Sequence, residues 1–339
     1  MKTQIINGRS VVDALSVRKL ATPGSVHIDQ LMTDFAINYG NLPFIGRQVF
    51  PTAPVQKESD KYAIFNSDRR QQRVKTGLRA PKSRAEVVDW KHTTASYACQ
   101  EYAFAAGVDD RERDNADAPI APDQRATAAA VTAIELAMEA RIATLVTTAG
   151  SYAAAHKTTL VGAAQWSTAA SAVLSVKLAA DEAIQADAGV LPNSAIIPFK
   201  VFNKLRLNTE VKAAFAVGGV ASKTGLVTRE QLAAYFDIDV ERLFIPGGVK
   251  NTAALGAAAT LADIWGDFAW FGFVDPGATS PLDGITFGKI FAKAQEGLAR
   301  LTREFRDDPA RTDYKEVSEI TDEKITAIEC GYLVSDTLA

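Results

Sequence analysis

The clearest pattern along the chain is helical. Val131, Ile134, Met138, Ile142 and Leu145 recur three and four residues apart, the spacing that gathers apolar side chains on one face of an α-helix. The run opens after Pro119 and Pro122 and closes at Gly150, so a helix over 123–149 is predicted. At 1.5 Å per residue, roughly 27 residues span about 40 Å. A compact domain of this chain length has a radius of gyration of roughly 20 Å, so a helix of that length points to a flat, elongated subunit.

Upstream the pattern changes. Residues 1–25 are polar and mildly basic, with Lys2, Arg9, Arg18 and Lys19 against Asp13 alone, and read as an extended arm. Helical spacing follows at Val26, Leu31, Phe35 and Ile37 and stops at Gly40. Pro43, Pro51 and Pro54 punctuate short apolar pieces, and Lys61-Tyr-Ala-Ile-Phe65 reads as a strand. Strand-like runs return at 86–93 and 97–104. Between these arms sit Arg69, Arg70, Arg73, Lys75, Arg79, Lys82 and Arg84 with no acid, broken by Gly77 and Pro81. Two strand-like arms around a basic tip make a long hairpin.

Downstream, short helices are predicted at 172–187, 199–207 and 229–236. Strands are predicted at 194–197, 239–245 and 262–275. The tail reads as two strands, 314–320 and 324–335, joined by Thr321-Asp-Glu323. The mixture is an α+β fold. No repeat of 20–50 residues interrupts it.

Composition narrows the function classes. The chain has 339 residues, 47% hydrophobic and 23% charged, which is globular rather than disordered and long enough for one large domain or two to three smaller ones. A net charge of −3 argues against a protein whose main task is coating nucleic acid, which needs a basic surplus. Cys99 and Cys330 lie far apart in no CxxC pattern and read as two buried thiols in a reducing compartment. No signal-peptide run opens the chain, and no stretch approaches the ~20 apolar residues of a membrane span. The expectation is assembly in the cytoplasm.

The candidate chemistry thins out on inspection. Ser16-Val-Arg-Lys19, Tyr39-Gly-Asn41 and Lys223-Thr-Gly225 follow, in order, the three short elements of penicillin-recognising serine hydrolases. Only ~20 residues separate the first two, where such enzymes place a substantial helical region, and Ser16 lies in the weakly patterned arm. His27, His92 and His156 are isolated and read as surface or partly packed histidines rather than zinc ligands. Gly288-Lys289 lacks the rest of a phosphate loop. The acidic run Asp109, Asp110, Glu112 and Asp114 is interleaved with Arg111 and Arg113 and reads as a solvated or salt-bridged face. Glu135 and Glu139, with Arg141 nearby, read as a solvent face of the long helix rather than an acid/base pair. No catalytic, cofactor or metal site is expected.

The basic tip at 69–84 is the one charge feature above background. It can be a solvated loop, a nucleic-acid contact, or a dock for an acidic surface on another subunit. No aromatic residue interleaves it, so single strands find no stacking platform. The acidic cluster at 109–114 offers the subunit dock a partner.

The order of short motifs resembles the major capsid proteins of tailed phages with the Hong Kong 97-like fold. The resembling residues are Phe50-Pro51-Thr-Ala-Pro54-Val55, Asp60-Lys-Tyr62-Ala-Ile-Phe65, Tyr97-Ala-Cys-Gln-Glu101-Tyr102-Ala and Val108-Asp-Asp110. The proline-led helix with Glu135 and Glu139 follows. After it come Leu191-Pro192-Asn193, Leu232-Ala-Ala-Tyr-Phe-Asp237-Ile and Ile264-Trp265-Gly266. The resemblance implies an N-terminal arm at 1–49, an extended loop at 50–95, a peripheral domain from 96–165 and 291–339, and an axial domain at 166–290. It implies a structural coat protein, not an enzyme, that assembles with itself as pentamers and hexamers around double-stranded DNA in a virion. Portal, scaffold and decoration proteins are further implied partners, and the arm is too short for a large scaffolding segment. The related shell of an encapsulin nanocompartment is the alternative the resemblance leaves open.

Overall fold

The computed structural model describes residues 27–28, 44–64, 78–85, 93–116, 121–215, 226–254, 258, 260–281 and 284–339. The first elements are β1 (His27–Ile28), α1 (Gly46–Val49), β2 (Thr52–Val55), β3 (Ser59–Ile64), β4 (Thr93–Ala98) and β5 (Gln100–Asp109). Then come α2 (Asp110–Asp114), α3 (Pro122–Thr147), β6 (Lys157–Thr159), α4 (Val173–Ala188), β7 (Ser194–Ile196), α5 (Phe199–Leu205), α6 (Thr209–Ala214) and α7 (Arg229–Tyr235). Strands dominate the rest: β8 (Leu243–Phe244), β9 (Val249–Asn251), β10 (Leu261–Asp263), β11 (Ala269–Gly272), β12 (Gly288–Lys293), β13 (Leu301–Asp307), β14 (Thr312–Ile325) and β15 (Gly331–Ser335).

The root of the hairpin is a paired two-strand ladder, with β4 (Thr93–Ala98) lying between the runs expected at 86–93 and 97–104. β3 and β4 pair antiparallel, with Asp60 opposite Tyr97 and Tyr62 opposite Ala95. Tyr62 and Tyr97 close on Phe291 of β12, with ring centroids 5.0 and 4.7 Å away, so aromatic burial ties the root to the body. Residues 65–77 and 86–92 lie outside the described residues. The run at 97–104 is two strands rather than one. It is interrupted at Cys99, where the chain changes partner from β3 to β14.

The larger sheet runs β1–β13–β14–β12–β2, with β5 on the other side of β14. α3 lies over β5 and β14. Its predicted stripe is the buried one: Val131, Ile134, Met138 and Ile142 are all buried, and Val146 completes the row in place of half-buried Leu145. Val131 and Ile134 meet Val317 of β14. The predicted turn at 321–323 is absent. Thr321 and Glu323 sit within β14, opposite Ala292 and Ile290. These polar residues mark a buried strand because Arg141 of α3 supplies Glu323 with a partner.

The second sheet runs β6–β15–β11–β7–β8. Every residue of β7, β11 and β15 is buried, the near-continuous apolar reading of strands covered on both faces. α4 packs against β11 and β15 and ends at Gly189, whose φ of 65° suits glycine in the left-handed region. Gly331 is required by close approach, since a Cβ there would lie 2.4 Å from the Phe287 ring.

Three further expectations are corrected. His27–Ile28 pairs with β13 where helical spacing is expected to follow Val26; Leu31, Phe35, Ile37 and Gly40 of that run lie outside the described residues. The strand expected at 239–245 is only Leu243–Phe244, since Val240–Arg242 turns as a 3₁₀ helix. The strand at 262–275 is cut into β10 and β11 around Gly266, at φ 64°.

Candidate subunit-contact surface

Of the basic tip, Arg69, Arg70, Arg73 and Lys75 lie outside the described residues. Arg79, Lys82 and Arg84 are exposed and make no ion pair with any described residue. Pro81 and Lys82 form a tight turn, with Lys82 at φ 67°. Arg79 Nε donates to the Ser83 carbonyl at 2.6 Å and Ser83 Oγ to the Ala80 carbonyl at 2.8 Å. The turn holds its charges outward.

The acidic cluster is the short helix α2. The Asp109 side chain caps it, accepting from the Arg111 amide at 2.8 Å. Asp110 is engaged within the chain, 2.8 Å from Arg306. Arg113 reaches Asp313 at 2.7 Å and Asp123 at 2.9 Å. Hydrogen bonds from Arg306 hold the Asp110 carboxyl below its ordinary range, and those from Arg113 do the same for Asp313. Asp109, Glu112 and Asp114 stay exposed. No hydrogen bond or ion pair joins the described tip residues to this cluster within one chain.

The largest departure from expectation lies under α3. Glu135 and Glu139 do not face solvent. Glu139 is buried, and its carboxylate accepts from the Ile45 amide at 3.1 Å, the Gly46 amide at 2.6 Å and Trp265 Nε1 at 2.7 Å. Burial pushes its pKa up, against the pull of those three donors. Gly46 leaves room for it: a Cβ there would stand 2.8 Å from Glu139 Oε2. Glu135 belongs to a four-member ion cluster. Arg47 reaches Glu135 at 3.1 Å and Glu319 at 2.6 Å, and Arg300 donates to the same two carboxylates. Burial pulls the Arg47 guanidinium down, and Glu319 and Glu135 together more than offset it. Arg141 pairs with Glu323 at 2.8 Å and stacks 3.7 Å over the Tyr102 ring.

The sequence held a signal for this. Glu135 stands three residues before Met138, and Glu139 three before Ile142, so both flank the apolar stripe. Their partners come from residues 45–47, 265, 300 and 319, which no local pattern connects.

The remaining candidates are structural. His156 is fully buried rather than partly packed, bonded to Asp187 at 2.8 Å and to the Gly331 carbonyl at 3.1 Å. It ties α4 to the start of β15. Lys289 is buried in β12 and donates to the Ser280 carbonyl at 2.6 Å. Cys330 is buried, while Cys99 is half-buried, with burial pushing its thiol up to about 11. Among the described residues no group of His, Cys, Asp or Glu could hold a metal ion, and no helix is long and apolar enough to cross a membrane. Ser16, Lys19, Tyr39, Asn41 and Lys223-Thr-Gly225 lie outside the described residues. Arginine–carboxylate clusters with filled hydrogen bonds lock elements together; they present no nucleophile beside a base.

No protein-family model matches the chain. It is 30% identical over 268 residues to the major capsid protein of Pseudomonas phage JBD67, covering 77% of this chain and 81% of that one. It is 27% identical over 213 residues to the major capsid protein of Burkholderia phage BcepMu, covering 62% and 67%. Its fold is similar to a phage-related protein from Bordetella bronchiseptica, with a TM-score of 0.72 at 22% identity over 92% of this chain and 98% of that one. It is also similar to the capsid of the cyanophage P-SCSP1u, with a TM-score of 0.55 at 13% identity over 98% and 96%. The chain thus belongs to the major capsid proteins of tailed phages: it is a structural coat protein of Hong Kong 97-like fold whose copies assemble into the icosahedral head of the virion.

Proposed function

We propose that the subunit acts entirely through contacts, with no catalytic step, and that its basic tip docks on the acidic cluster of a neighbouring copy. The observation that carries this is the state of the charges. Among the described residues, exposed Arg79, Lys82 and Arg84 have no ion-pair partner, nor have exposed Asp109, Glu112 and Asp114, whereas the charges under α3 are consumed internally. Opposite-sign patches on copies of one chain steer and register their association. Arg69, Arg70, Arg73 and Lys75 extend the tip, and Asp110 lends its remaining field to the cluster.

In this reading the hairpin at 50–95 reaches across a neighbour. Residues 96–165 with 291–339, built around α3, form the peripheral domain, and 166–290 the axial domain packed around pentamer and hexamer centres. The shell encloses double-stranded DNA held non-specifically, meets portal, scaffold and decoration proteins, and assembles in the host cytoplasm.

Reversal of Arg69, Arg70 and Arg73 to Glu, with Arg79, Lys82 and Arg84 reversed in a second variant, tests the dock. Electron microscopy is expected to show loss of shells while circular dichroism stays that of a folded subunit. Trypsin is expected to cut free subunits within 69–84 and to spare assembled shells. Normal shells from both variants, or equal cleavage in both states, would remove the docking role.

A further inference from the structure

The two sheets guard their edges, with one exception. An open strand edge offers unpaired N–H and C=O groups to any passing strand, and folds blunt such edges with short strands, charges or proline. The second sheet ends in β6 and β8, of three and two residues. On one side the larger sheet ends in β1, two residues along the charged strand β13, and in β2, four residues with Pro54 among them. β5 ends it on the other side with ten residues. It pairs with β14 through one edge and has no strand partner on the other among the described residues. It has no proline, and between Glu101 and Asp109 it carries no charge. Gln100, Glu101, Ala103, Phe104, Ala105 and Gly107 are exposed, with Phe104 at 42%.

We propose that β5 pairs antiparallel with β5 of a second copy, joining the two larger sheets across a two-fold axis. The occupant follows from the protein's own assembly: copies of this chain are what a shell places beside one another, and the other outer strands of the two sheets are too short to fill a ten-residue edge. A two-fold contact is self-complementary and closes. It must set residues of the same sheet face opposite each other, which restricts the register. Centring it on Ala105 would put Glu101 opposite Asp109, like charges in a directly opposed pair. Centring it on Phe104 sets Phe104 against the partner subunit's Phe104 and Ala103 against the partner subunit's Ala105. Tyr102 then meets the partner subunit's Ala106, and Glu101 the partner subunit's Gly107. That register opposes no charges and covers the exposed ring with its own copy. It brings the two α3 helices onto one side, where half-exposed positions such as Ala128, Thr132 and Leu136 carry no charge.

The test uses the full chain assembled into shells. Phe104→Cys in a Cys99→Ser, Cys330→Ser background is oxidised in the particle, and peptides are mapped without reduction. A covalent dimer joined 104 to 104 is expected. Phe104→Glu is expected to abolish shells while leaving the free subunit folded by circular dichroism. If that variant does not fold, the cross-link decides alone. Two results would overturn the pairing: shells at wild-type yield from F104E, or a thiol introduced at position 104 that joins nothing or joins another segment such as 78–85. Because cross-linking is read in formed shells, its failure leaves the tip-docking reading standing.

Discussion

Trp270 and Phe271, in the middle of the second sheet, pack against the rings of Phe287 and Phe236. Lys315, Glu319 and Glu323, in the middle of the larger sheet, lie nearly as deep, but each needs an opposite charge. The second sheet closes an apolar core that tolerates small shifts of contact. The larger sheet joins α3, the approach to the hairpin at Arg47, and β14 through pairs whose geometry must be met atom by atom. The difference teaches where rigidity and register reside. The apolar sheet supplies bulk stability. The charged one, which carries the hairpin root and β5, is held in register by buried and half-buried ion pairs.

The comparison breaks most visibly in the apolar sheet. Phe271 is fully buried, 5.3 Å from the Phe236 ring. Phe271→Ala is expected to cost about 3–5 kcal/mol through lost burial and the cavity left behind. Urea unfolding of free subunits, followed by tryptophan fluorescence, measures it. A loss below about 1 kcal/mol would mean that the core collapses around the gap and that bulk stability lies elsewhere.

These two chemistries also explain what could be read from the chain. Apolar periodicity placed α3 within two residues and put α4 over 172–187, because a helix that buries one face must repeat at 3–4 spacing. It failed at β14, where Thr321, Asp322 and Glu323 look like a turn and are strand. It failed at Glu135 and Glu139, which look like a solvent face but turn to the sheet, Glu139 buried and Glu135 half-buried. At Glu139, Glu323 and Glu319 the polar residue is stabilised by a partner more than ninety residues away in sequence. Local patterns cannot carry such pairings, and the acidic cluster shows the same limit: its interleaved arginines were legible, but Arg306 as the partner of Asp110 was not.

The middle-sized effect sharpens the other half of the comparison. Arg300→Met leaves half-buried Glu135 and buried Glu319 with Arg47 alone between them. Removing one partner from a buried ionic group costs about 3–5 kcal/mol, whereas replacing the whole group by apolar residues of similar volume is near neutral. Arg300→Met is therefore expected at or somewhat below that range, since Arg47 compensates in part. Arg47→Met, Arg300→Met, Glu135→Leu and Glu319→Leu together are expected to restore much of the loss, again by urea unfolding. If the fourfold variant is less stable than Arg300→Met alone, the cluster's value lies in its pairs and not in avoiding unpaired charge.

The smallest effect belongs to the exposed end of the same sheet, where Arg306 joins Asp110, Asp308 and Asp313 at 2.8, 2.9 and 3.0 Å. Solvent screens these pairs, so Arg306→Gln is expected to destabilise far less than Arg300→Met. The carboxyls of Asp110 and Asp313 are held below their ordinary range by their arginine partners. A depressed carboxylate contributes stability above its unfolded pKa and loses it as pH falls through the folded value. The wild-type advantage over Arg306→Gln is thus expected to be full at neutral pH and to vanish below the ordinary carboxylate range. It is also expected to shrink in 1 M salt, where the screening length is about 3 Å. The buried cluster is shielded from salt, so Arg300→Met should keep its deficit there. An Arg306→Gln deficit that survives both acid and salt would show that Arg306 acts by packing its stem on the sheet, and would erase the distinction between the two ends.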